Sequence, residues 1–242
     1  MNNISFKFKK ISAWLFFLIL KFCSPLILKF EQRLIKNILK KKNNFYEPIF
    51  IIGSPRSGST ILYQLLTNRL DVLYINNLTC LIKNFFFGFW LSNKIFNQRP
   101  HNCFKSNFGK TKGLNSPSEC GSFWYLWLPT SKHFVDHNEI SKKVIRSIKK
   151  EIFYVSCYFK KPILFKNLNA GQRLRMIYKA FPNAKLIFIR RDPLYTAQSI
   201  IKAKRQLNIK EDVFWSIMPP NVNELKKLKS PEQIVKQIYY LE

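Results

Sequence analysis

A chain of 242 residues with 47% hydrophobic content can bury one sizeable core and is too short for two ordinary ones. Its formal net charge of +28 favours anionic partners, but Lys is spread along the whole chain with Asn, Ile and Phe. The charge is not packed into one stripe, so no nucleic-acid partner is expected, whereas a small, multiply charged anionic ligand is. Five cysteines (Cys23, Cys80, Cys103, Cys120, Cys157), odd in number and without a C-x-x-C pair, indicate neither a zinc site nor a disulfide framework. They read as reduced, mostly buried thiols.

Residues 1–47 form a basic and apolar N-terminal segment, and 48–242 an α/β domain. From Met1 to Asn44 there are nine Lys plus Arg33 against one acid, Glu31. The apolar run Ile11 to Leu20 is followed by Lys21 and then by Phe22 to Leu28, interrupted at Ser24 and Pro25. It is short of the roughly 20 residues of a clean membrane span. A central Lys costs roughly 2.5–3.5 kcal/mol of insertion, against about 0.3–0.6 gained for each Leu, Ile or Phe. Three readings stand: an in-plane helix on a membrane surface, a weak signal-anchor, and a helix packed on the domain. Phe30 to Lys42 reads as a basic amphipathic helix, so 11–42 is the stretch suited to membrane contact.

The apolar run Ile49 to Ile52 reads as a buried strand that Gly53 ends. Ser59 to Asn68 carries Ile61, Leu62, Leu65 and Leu66 at helical spacing. A strand turning through glycines into a helix aims backbone N–H groups and the positive helix end at one point, which suits phosphate or sulfate. Gly53-x-x-x-x-Gly58-x-Thr60 has the frame of a nucleotide-triphosphate loop, but Ser59 stands in place of its lysine and Arg56 supplies the charge.

Asp71 to Ile75 reads as a second strand, ended by Asn76, Asn77 and Thr79, which are suited to cap an aromatic helix from Cys80 to Trp90. Asn93 to Gly113 has no period and reads as a long functional loop. Ser116-Pro117-Ser118-Glu119 has the form of a capping box for a helix carrying Phe123, Trp124 and Trp127. The other reading of Glu119 is a general base beside an aromatic pocket. His133 and His137, four apart, would share a helix face, but no third ligand appears, so they read as exposed and no metal is expected.

Pro162 to Phe165 reads as a third strand running into Lys166, Ala170 to Phe181 as a helix, and Ala184 to Ile189 as a fourth strand. That strand delivers Arg190-Arg191-Asp192-Pro193, with Asp192 and Pro193 suited to the cap and first turn of the next helix. Ser199 lies eight residues after Arg191, about two turns along. Guanidinium, hydroxyl and helix end make a second candidate anion site. A last helix starts at Ser230-Pro231-Glu232-Gln233.

Two motifs carry a resemblance. Pro55-Arg56-Ser57-Gly58-Ser59-Thr60 resembles the 5′-phosphosulfate loop of sulfotransferases that use 3′-phosphoadenosine 5′-phosphosulfate (PAPS), and Arg191-Asp192-Pro193 with Ser199 resembles their 3′-phosphate element. The run Lys166, then Phe181-Pro182-Asn183-Ala184-Lys185, is similar to the family's path from its catalytic Lys to that element. The resemblance spans about Pro48 to Ser199. It implies a P-loop-like three-layer α/β domain with a short, mostly parallel sheet of about four strands flanked by helices. It implies PAPS as co-substrate, held by Arg56, Ser57, Gly58, Ser59 and Thr60 at one end and by Arg191 and Ser199 at the other. Lys166 would then be catalytic. Where cytosolic members place a catalytic His this chain has Leu168, and Ile61 and Leu62 replace the aromatic that stacks on adenine. The chain therefore resembles the bacterial-type and membrane-associated branches, with Glu119 as base and His101 as the other candidate. The acceptor is expected to be a small molecule, glycan or lipid, and family members continue past the point where Leu241-Glu242 ends this sequence. Two other functions fit the residues alone: a lysine-less P-loop nucleotide kinase or NTPase, and a non-enzymatic basic protein that binds membranes or nucleic acid.

Overall fold

The computed structural model describes residues 24–40, 44–97 and 99–242. They fall into two units divided after residue 43. The first contains helix α1 (Ser24–Leu39). Pro25 sits in its first turn, where a missing N–H costs no hydrogen bond, so the Ser-Pro pair opens the helix rather than interrupting it. The expected helix at 30–42 thus begins earlier and ends at Leu39, while the reading of 11–20 lies outside the described residues.

In the second unit the chain runs through β1 (Ile49–Gly53), α2 (Ser59–Arg69), α3 (Asn77–Leu81) and α4 (Phe85–Phe96). A hairpin of β2 (Ser106–Asn107) and β3 (Lys110–Thr111) follows, then α5 (Gly121–Trp124), α6 (Lys142–Phe159), β4 (Leu164–Lys166) and α7 (Leu174–Ala180). The last elements are β5 (Lys185–Ile189), α8 (Pro193–Gln206), α9 (Val222–Leu225) and α10 (Glu232–Leu241).

The central sheet is parallel, in the order β4-β1-β5. Register places Phe50 beside Phe165 and Leu186, and Ile51 beside Lys166 and Ile187. Because side chains alternate along a strand, these two rows face opposite sides. Ile51 and Leu164 pack with Tyr63 of α2 on one face. On the other, Phe50 stacks on Phe165 at 5.2 Å, and Trp124 of α5 meets Phe50 at 6.0 Å. Helices on both faces make the three layers, and each such buried side chain contributes about 1.5–3 kcal/mol relative to exposure. The same parity puts Lys166 on the α2 face, at the strand's carboxyl end.

Among the described residues the sheet has three strands, not four. The segment expected as a strand at 71–75 pairs with the sheet only through a parallel bridge between Leu73 and Ile163. The expected aromatic helix is two helices, α3 and α4, separated at Ile82–Asn84, although Asn76 caps α3 as anticipated, accepting from the Thr79 N–H at 2.8 Å. The loop expected from Asn93 begins after Phe96 and is partly organised by the β2–β3 hairpin. The helix expected from Ala170 starts as a 3-10 turn over Leu168–Arg173 before α7. The Asp192 side chain caps α8 with Pro193 in its first turn, as expected.

The cysteines depart from the expectation. Cys80 at the end of α3 and Cys120 just before α5 form a disulfide, and Cys103 and Cys157 are free thiols. A separation of 40 residues carries no local signal. The pairing follows from tertiary contacts that lay residues 114–118 along 75–78 (Ser118 N–H to Ile75 O, 2.7 Å; Asn77 N–H to Ser116 O, 3.0 Å).

Candidate active site

The turn after β1 is built by close backbone approach. A Cβ on Gly53 would sit 2.4 Å from the Ile189 carbonyl oxygen of β5, so only glycine lets the two strand ends meet there. Arg56 takes a left-handed φ of 67°, and Gly58, at φ 96°, occupies the cap position of α2. Ser57 is buried and its hydroxyl has no hydrogen-bond partner. An unsatisfied buried donor at the amino end of a helix is where an anion's oxygens are best received.

The second turn, after β5, lies directly against the first. Arg56 Nε donates to Ser199 Oγ at 3.0 Å, and Arg191 Nη1 donates to the Arg56 carbonyl at 3.2 Å. Arg190 turns elsewhere, to the Glu242 carboxylate, which also accepts from Ser54 Oγ. Arg56, Arg191 and Lys202 line one groove with Ser199 and Gln198, and among the described residues no acid lines it.

At the end of β4, Lys166 is 2% exposed and forms an ion pair with Glu119, whose side chain is 34% exposed. Lys166 Nζ also donates to Thr60 Oγ1 at 3.2 Å. The capping box expected at Ser116 does not form. Ser116 Oγ donates to the Lys112 carbonyl at 2.5 Å, α5 begins only at Gly121, and the Glu119 carboxylate faces Lys166. His101, the other candidate base, is buried away from this pair. Its Nε2 lies 3.0 Å from both Thr67 Oγ1 and the Gln64 carbonyl, and burial holds its pKa below the ordinary value.

These groups share one cleft of roughly 590 Å³. Its lining includes Pro55, Arg56, Gly58, Ser59, Thr60, Glu119, Lys166 and Arg191, together with Tyr125, His133, Leu168, Asn169 and Trp215 to Ile217. Ser199 lines the neighbouring groove, and Ser57 is buried within the loop. The tip of the β2–β3 hairpin lies over the cleft, with the Arg56 guanidinium 5.6 Å from the Phe108 ring centroid.

His133 and His137 do not share a helix. His137 opens a 3-10 turn, and His133 is half-buried in the preceding loop. The His133 Nδ1 accepts from the Met218 N–H at 2.9 Å, which leaves the ring proton on Nε2. Burial first, and the Arg173 charge second, lower its pKa and favour the neutral ring. Arg173, buried, donates from Nε to the His133 carbonyl at 3.0 Å and lies 5.8 Å from the Tyr125 ring. Asn169 Nδ2 donates to the Tyr125 hydroxyl at 3.2 Å. Sequence reasoning missed this wall and the hairpin tip; Asn107-Phe108-Gly109 was the available turn signal for the latter.

A parallel α/β domain with two donor-rich turns at the ends of the adjacent strands β1 and β5, and a lysine–carboxylate pair at the end of β4 on the other side of β1, fits a group-transfer domain. The model of the sulfotransferase family matches residues 48–218, and the chain belongs to that family. No curated protein matches it. Among solved structures, sulfotransferase STF9 from Mycobacterium avium is similar at 15% identity and a TM-score of 0.45, covering 73% of this chain and 52% of that one. The chain thus spans about half the length of that structure.

Proposed function

We propose that this chain transfers a sulfuryl group from PAPS to a hydroxyl or amine acceptor. The observation that carries this reading is the contact of the two anion-binding turns, Arg56 to Ser199 and Arg191 to Arg56, beside the Lys166–Glu119 pair. A nucleotide phosphorylated at both ends of its ribose needs two such turns within one molecule's reach. The loop from Arg56 to Thr60 would receive the 5′-phosphosulfate, and Arg191 with Ser199 the 3′-phosphate.

Mechanistically, the protein positions and neutralises rather than forming covalent bonds. Glu119 takes the acceptor proton as the acceptor oxygen or nitrogen attacks sulfur. The bond from sulfur to the bridging oxygen breaks, and Lys166, hydrogen-bonded to Thr60, stabilises the charge left on that oxygen. The acceptor is a small molecule, a glycan or a lipid, entering along Tyr125, Asn169 and Trp215. Contact with a membrane surface through residues 11–42 would bring a lipid acceptor close.

Titrating the chain with adenosine 3′,5′-bisphosphate, ATP and ATP–Mg tests the reading. Preference for the bisphosphate without metal supports it. Tighter, magnesium-dependent ATP binding would replace it with a nucleotide kinase or NTPase.

A further inference from the structure

Glu119 lies on a segment with no regular secondary structure, yet its backbone is held from both sides. Ahead of it, residues 111–118 are tied to the chain before and within α3. The Asn77 side chain donates to the Thr111 carbonyl at 3.2 Å and to the Gly113 carbonyl at 2.8 Å, and Thr111 Oγ1 donates to the Pro117 carbonyl at 2.8 Å. Behind it, the neighbouring residue Cys120 is cross-linked to Cys80. Cys120 has a φ of 41°, a left-handed conformation that residues with a Cβ seldom adopt. That residue sets the angle at which the chain leaves Glu119 for α5.

We propose that the Cys80–Cys120 disulfide is a positioning device for Glu119, so that a dithiol reductant lowers sulfuryl transfer without releasing the nucleotide. The inference rests on the reading of Glu119 as base given above. Reduction delivers two electrons and two protons from the dithiol to the bond. Two thiols form, and the dithiol closes into its own disulfide. Cys80 is partly exposed, so the bond is open to attack from its side, whereas Cys120 is buried. With the tether gone, Cys120 relaxes toward ordinary backbone angles and swings the carboxylate away from Lys166. The anion turns do not touch either cysteine and stay in place.

The test uses the full chain and reads hydrolysis of PAPS, in which water takes the place of the acceptor. Labelled sulfate released from PAPS measures transfer, and adenosine 3′,5′-bisphosphate measures binding. In the oxidised chain, release should be measurable. After dithiothreitol, and equally in Cys80→Ser, it should fall at least tenfold, in kcat rather than KM, with bisphosphate affinity within twofold. Cys120→Gly, which accepts the left-handed angle freely, should retain more release than Cys80→Ser. Cys103→Ser should keep the full dithiol response. Unchanged release after reduction overturns the inference and leaves the sulfotransferase reading standing. Loss of bisphosphate binding on reduction also overturns it, by making the bond a general support of the domain. An oxidised chain that binds the bisphosphate but releases no sulfate overturns this inference, and one that does neither overturns the functional reading with it.

Discussion

The Nε of Arg56, in the loop after the first strand, donates to the Oγ of Ser199, two turns into the helix after the last strand, at 3.0 Å. Residues 143 apart in sequence thereby join the two turns into one basic site. The Arg56 guanidinium also lies 5.6 Å from the Phe108 ring centroid, so it is held between Phe108 and Ser199, while the Arg191 guanidinium reaches the Arg56 carbonyl.

The first prediction follows from that placement. Arg191→Ala should weaken binding of adenosine 3′,5′-bisphosphate by about 1.5–3 kcal/mol, the range for hydrogen bonds to charged groups. Adenosine 5′-monophosphate, which lacks the 3′-phosphate, should be affected far less. Arg56→Ala should weaken both ligands alike, because Arg56 belongs to the loop that receives the 5′-phosphate both carry. Calorimetric titration of both ligands checks it, and equal losses for both in Arg191→Ala would make Arg191 a structural residue.

Glu119→Gln should lower transfer by about 10²- to 10⁴-fold, the usual contribution of a general base, with bisphosphate binding retained. Thermal stability should not fall through loss of a helix cap, because no capping box exists here. A variant that keeps its turnover would remove Glu119 from the chemistry and leave it as the partner of Lys166 alone.

The strands that carry the site were legible because their local signals agree with their tertiary role. Ile49 to Ile52 and Ala184 to Ile189 are short apolar runs ended by glycine or by the Arg-Asp-Pro turn, and β1 and β5 lie there with an offset of a residue. Asp192 and Pro193 cap α8 for the same reason. Other features had no such agreement. Ser116 to Glu119 spells a capping box, but pairing of 114–118 with 75–78 pulls the segment out of helix and turns Glu119 inward. The Cys80–Cys120 bond and the His133–Met218 contact both join residues that only the folded chain brings together. The one-residue bridge at Leu73 is too short to read from any pattern.

Acidification should loosen the domain through its buried imidazoles. His101 and His133 both have lowered pKa values, chiefly from burial, with the Arg173 charge adding at His133. The unfolded chain therefore takes up protons first as pH falls below about 6.5, while the folded chain resists. Stability is full above that pH, declines on going below it, and levels off once the lowered folded values are passed. At His133, protonation also sets an N–H against the Met218 N–H, so the Trp215–Met218 wall should loosen in the same window. Urea midpoints measured between pH 7.5 and 5 check this, with a flatter slope expected for His133→Gln.

The last prediction concerns Gly109, at the tip of the hairpin over the cleft. Its φ of 85° lies in the left-handed region, so Gly109→Ala carries a conformational cost of about 1–2 kcal/mol on its own. The new methyl would also stand 3.2 Å from Glu119 Oε1, with Lys166 Nζ and Thr60 Oγ1 each at 3.9 Å. A free carboxylate would step aside by a few tenths of an ångström. This one is paired to Lys166, which is itself buried and bonded to Thr60, so yielding means either lengthening the ion pair or lifting the hairpin. Lifting the hairpin moves Phe108 off Arg56. Either route touches the transfer chemistry before the nucleotide turns, so turnover should fall more than bisphosphate affinity. Asn107→Ala, on the same exposed hairpin, adds no atom toward Glu119 and serves as the comparison. If both variants lose turnover alike, the hairpin acts as a whole and close approach at Gly109 is not what the site depends on.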